Sequence, residues 1–160
     1  MNVTRMPGTK REIVLDRRIA ELESYDMWFV SERIRRNGVV PSSEIEASIA
    51  IFKRFAALFA VGYTDLNMPM AFVDEVWHTF ILFTEEYANF CSCYLGKFLH
   101  HKPITSRTDE QQRATLDFYE VYEEVFGQDL RRAGIEQATC CGGGNDCRAY
   151  PEAPATGAVC

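Results

Sequence analysis

The stretch Val73-Asp74-Glu75-Val76-Trp77-His78-Thr79-Phe80-Ile81-Leu82-Phe83-Thr84-Glu85-Glu86-Tyr87-Ala88-Asn89-Phe90-Cys91 decides the fold class. On a helical wheel at about 100° per residue, Val73, Val76, Phe80, Phe83, Tyr87, Phe90 and Cys91 gather on one broad side. Tyr94 continues that stripe, and Trp77 and Thr84 stand at its edge. His78 points the opposite way, beside Asp74, Glu75, Glu85 and Asn89. A period near 3.6 rather than 2 predicts a helix whose apolar face needs other helices to cover it.

Punctuation extends this reading outward. Pro69 suits a first helical turn and Gly96 a left-handed stop, so the helix is predicted over about 69–95. Thr9-x-x-Glu12, Ser43-x-x-Glu46 and Thr108-x-x-Gln111 read as capping boxes, and Gly38, Gly62 and Gly127 as stops. The other helices predicted are about 10–37, 43–61 and 109–126, the first breaking near Ser24. Ile45, Ile49, Phe52, Phe55 and Phe59 form an apolar stripe on the second; Leu116, Tyr119, Tyr122 and Phe126 repeat it on the last. Strand signals are almost absent. The expectation is an all-α protein, a compact bundle of four to five helices spanning residues 1–134.

The remainder, 135–160, holds Gly142-Gly143-Gly144, two prolines and four cysteines with little apolar mass, and reads as a disordered tail. The net charge of −6 sits mainly in the middle of the chain, which argues against nucleic acid as a partner. No apolar run is long enough to cross a bilayer, and the N-terminus lacks an apolar signal region, so a cytoplasmic location is expected.

All three histidines lie on the Val73–Cys91 helix or in the loop after it, Gly96-Lys97-Phe98-Leu99-His100-His101-Lys102-Pro103. An Asp four residues before a His can accept its ring N–H and fix its tautomer, as around metal-bound or proton-transferring imidazoles. His78, His100 and His101 are therefore candidate ligands for a transition metal such as zinc, with Asp74 or Glu75 as support or general base. Structural histidines and a partner-binding surface are the other readings. For loop and helix to share a site, the loop must return along a helix of about four turns, a marginal span for so few residues. Cys91 and Cys93, two apart on a helix, diverge too far to share an ion, and Cys91 falls on the core side. Disulfides are not expected in a cytosolic chain. The tail thiols Cys140, Cys141, Cys147 and Cys160 lack the usual C-x2-C spacing, so they read as adventitious or as a thiol-based metal-handling or redox arm.

Asp74-Glu75-Val76-Trp77-His78-Thr79-x-Ile81-Leu82-x-Thr84-x-x-Tyr87-x-x-Phe90-Cys91, followed by Gly96-x-Phe98-x-His100-His101-x-Pro103, resembles the glycine-rich domain-containing protein-like family over about residues 45–127. The resemblance implies a small helical domain and singles out His78, His100 and His101; it implies no reaction. The glycine-rich region shrinks here to Gly142–Gly144. The leading expectation is a non-enzymatic module that binds a protein or small ligand through Asp74, Trp77, His78, His100 and His101. The alternative is a metal-binding protein, enzymatic or not.

Overall fold

The computed structural model describes residues 10–102, 116–133 and 147–151, the last five by their backbone alone. Within them the chain is mostly helical: α1 (Lys10–Glu23), α2 (Trp28–Asn37), α3 (Ile45–Ala60), α4 (Ala71–Leu82), α5 (Thr84–Phe90) and α6 (Phe118–Phe126). Among the described residues, no helix is long and apolar enough to cross a membrane.

The predicted first helix does break, between Glu23 and Trp28. Asp26 Oδ1 accepts the Trp28 backbone N–H at 3.0 Å, an Asx turn that starts α2. Gly38 then closes α2 at φ 68°, its N–H donating to the Ile34 carbonyl. The Ser43 capping box does not form: the residue before α3 is Glu44, in helical conformation and without a side-chain cap. The boxes starting at Thr9 and Thr108 lie outside the described residues. α6 starts at Phe118, with Asp117 as its cap accepting the Glu120 N–H at 3.1 Å.

α3 is the centre of the bundle, in contact with α1, α2 and α4. Its stripe Ile45, Ile49, Phe52, Phe55 and Phe59 is buried as the spacing predicts. Phe52 lies among Trp77, Phe80 and Phe90, with ring centroids 6.1–6.3 Å away. α6 docks on the other side, where the Asn67 side chain accepts the Phe118 backbone N–H at 2.9 Å and Arg54 donates to the Tyr122 hydroxyl at 2.7 Å.

Two expectations need correction. The helix predicted over 69–95 is three pieces: α4, α5 and a π-helical turn, Cys91–Leu95. The break is at Phe83, whose φ of −87° and ψ of 72° leave the helical region. No glycine or proline marks it; Phe83 turns to pack on Phe29, 4.9 Å between ring centroids. Strands also form: β1 (Asn67–Met68), β2 (Leu99–Lys102) and β3 (Cys147–Pro151) make a small antiparallel sheet in the order β1-β3-β2. Residues 147–151 of the tail thus form a strand, and the rest of the tail lies outside the described residues. Backbone pairing needs no apolar mass, and β1 and β2 both offer unpaired edges to it.

Candidate metal centre

Asp74 lies in the first turn of α4, where the helix dipole favours a carboxylate. Its side chain is only 5% exposed, and a carboxylate so placed needs partners. His78, one turn later, brings Nδ1 to 3.3 Å from Asp74 Oδ2. His101, from β2, brings Nε2 to 2.9 Å from Asp74 Oδ1. The imidazoles face each other with ring centroids 4.2 Å apart. One ligand atom from each of the three residues falls within 4.8 Å of the others.

The fold explains how a loop returns to the helix. Across the break at Phe83, residues ten apart in sequence meet, Trp77 with Tyr87 and Phe80 with Phe90 at 5.1 Å between centroids, so the return path is shorter than along one straight rod. Tyr87 on α5 then ties the pieces: Trp77 Nε1–H donates to its hydroxyl at 2.9 Å, and that hydroxyl donates to the Leu99 carbonyl. Leu99 is two residues before His101 and on the same face of β2. The buried chain Trp77–Tyr87–Leu99 therefore fixes the strand that presents His101. The edge of Trp77 also packs against His101, centroids 4.5 Å apart.

Two of the candidate residues take other places. His100 is on the opposite face of β2 by strand alternation, its ring 4.7 Å from that of Phe98, and it is not in the cluster. Trp77 has no exposed surface, so it supports the site from the core. Asp74, expected as support for a histidine, itself offers an oxygen to the cluster that His100 does not join. Alternation along Leu99-His100-His101 was the sequence signal that one histidine alone can face inward. Glu75 receives a hydrogen bond from Thr79 at 3.4 Å.

The exposures are graded: His101 and Asp74 are nearly closed off, whereas the His78 side chain is 37% exposed. Burial holds the His78 pKa below its ordinary value; His101 adds to this, and Asp74 and Glu75 pull the other way. An imidazole kept neutral presents a lone pair, as a metal ligand must.

The cysteines divide differently from expectation. Cys91 is a buried free thiol, pushed up to about 11 by burial and so far from a reactive thiolate. Cys93, exposed on the π-helical turn, is disulfide-bonded, contrary to the expectation of reduced thiols. The two sulfurs are separated as the helical spacing predicts, Cys91 in the core and Cys93 outside.

No curated protein and no solved structure matches the chain significantly. A family model does, over residues 26–122, a stretch that contains Asp74, His78 and His101, and on that match the chain belongs to the UCP032817-like family.

Proposed function

We propose that the protein binds one divalent transition-metal ion through Asp74, His78 and His101. The observation that carries this is the convergence of three ligand atoms from two elements, α4 and β2, within 4.8 Å. Ligands about 2.1 Å from an ion are about 3.0 Å apart at a right angle and about 3.4 Å apart at the tetrahedral angle. The separations from Asp74, 2.9 Å from Oδ1 to His101 and 3.3 Å from Oδ2 to His78, are of that order, each imidazole facing its own carboxylate oxygen. Two imidazoles and one carboxylate suit zinc, iron or manganese better than magnesium or calcium. Three protein ligands leave a position for water or a small ligand, on the side where His78 meets solvent. The resemblance to the glycine-rich domain family carries no activity across, so this reading stands on the geometry. Binding of a partner at the same helix has less support, because Trp77 offers it no surface.

The test is metal content of untagged protein, followed by a Co2+ titration read by optical spectroscopy. One equivalent with d–d bands and no thiolate charge-transfer band is expected. His101→Ala and Asp74→Asn should abolish it. Because the ion binds only the native state, a hundredfold excess over Kd should add about 2.7 kcal/mol of stability. Absence of stoichiometric binding, or bands of sulfur ligation, refutes the assignment.

A further inference from the structure

We infer that a groove between α2 and the break at Phe83 docks an acidic peptide segment carrying one large apolar anchor. It shares no residue with the metal centre. In α2 the core-facing positions are taken by Val30, Ser31 and Ile34, all buried. Phe29, Arg33 and Arg36, spaced by four and three, share another face of the helix. Phe83 meets Phe29 on that face, 4.9 Å between ring centroids. Together with Trp28 and Glu32 these residues line a groove of about 240 Å³. Trp28 at 64% and Leu82 at 68% are the two most exposed large apolar side chains among the described residues. They are the first residue of α2 and the last of α4, the helix ends that the Phe29–Phe83 contact brings together. An indole left in water beside an apolar groove marks an interaction surface.

Charge and size select the occupant. Arg35 pairs with Glu46 and Arg36 with Glu32, exposed pairs that a partner's carboxylate displaces at little cost. The helix dipole accounts for Arg35 and Arg36, which stand in the last turn of α2. It does not account for Arg33, which lies earlier, is exposed, and has no ion-pair partner among the described residues. A free guanidinium fork beside an aromatic floor suits a carboxylate whose neighbour in the ligand is apolar. The groove is smaller than the about 300–1,000 Å³ of pockets that enclose a whole small molecule. It holds one large side chain, with the rest of the ligand outside it, as in a peptide. The chain carries a net charge of −6, and Glu85 and Glu86 are exposed in the first turn of α5, just after Phe83. That field repels the extended negative charge of a nucleic acid or an anionic bilayer. A short segment with a few carboxylates on Arg33 and Arg36 stays clear of it.

The experiment follows the amide and indole N–H resonances of the full chain by NMR. The probes are end-blocked peptides in which Leu, Phe or Trp is flanked on each side by two glutamates. At least one should shift the Trp28 indole and the Phe29 and Arg33 amides to saturation. The Trp77 indole, bonded to Tyr87 in the core, should stay in place. Exchanging the anchor for alanine, or the glutamates for glutamine, should weaken binding about tenfold or more. Trp28→Ala and Arg33→Glu should do the same, and both side chains are exposed, so the fold survives their loss. Arg17→Glu, the same charge change on α1, should bind as the native chain does. No shift with any of the three anchors overturns the inference, as does binding that Arg33→Glu or Trp28→Ala leaves unaltered. Phosphatidylserine vesicles or adenosine monophosphate moving these resonances where the peptides do not would overturn it in favour of a membrane or a nucleotide. Shifts that grow with protein concentration alone, with a dimer in sedimentation, would overturn it in favour of a second copy of the chain.

Discussion

At the scale of single residues, Tyr87 is the side chain on which the site turns. Its hydroxyl accepts from Trp77 and donates to Leu99 in the core. Tyr87→Phe keeps the ring but leaves a buried indole N–H and a buried carbonyl without that partner. The cost should be about 1–3 kcal/mol in urea denaturation. It should also weaken metal binding, since Leu99 carries the strand of His101. A change in stability with unaltered metal affinity would show that Tyr87 supports the core alone. His78 makes a second prediction. Its folded pKa lies below the unfolded value of 6.5, chiefly through burial. The unfolded state therefore binds the proton first as the pH falls. The stability this gives is complete above about pH 6.5 and is lost on the acid side, down through the folded pKa. Ring NMR of metal-free protein should show a midpoint below 6.5, and His101→Ala should move it upward by removing a neighbouring imidazole. A midpoint at or above 6.5 would contradict the half-buried placement.

At the scale of elements, the apolar stripes of α3 and of the Val73–Cys91 stretch were legible because periodicity reports which face is buried. The interruption at Phe83 was not, because its cause is long-range: Phe29 on α2 draws the ring out of helical register. That one break also hid the route by which His101 reaches Asp74. Sequence spacing along a straight helix makes the return marginal, whereas a folded one makes it short. The pairing of Asp74 with His78 was readable from their four-residue offset, but the choice of His101 over His100 required the strand. Turn residues are testable here. Gly96 and Gly38 both hold φ near +70°, with open space where a Cβ would stand. Alanine at either should cost about 1 kcal/mol, from backbone strain alone. Gly96 opens the segment leading to β2, so only Gly96→Ala should also lower metal affinity. Parallel thermal melts and Co2+ titrations of the two variants separate strain in general from strain that moves His101.

At the scale of the molecule, fold and site share one set of contacts. Phe52 on α3 is wholly buried against Trp77, Phe80 and Phe90, and Trp77 is in turn the floor of His101. The exposed ion pairs, such as Arg35 with Glu46 and Arg17 with Glu21, are worth little by comparison. A cavity at Phe52 should therefore be felt at the metal. Phe52→Ala should cost about 3–5 kcal/mol, a large part of the about 5–15 kcal/mol that holds a domain of this kind together. Phe52→Leu keeps most of the volume and should cost much less. If core and centre are one cooperative unit, added Co2+ should raise the melting temperature of Phe52→Leu, and the core and β2 amides should gain protection together. Protection confined to β2 would mean that the ion orders only its own strand. The helical core would then be a scaffold, complete without it.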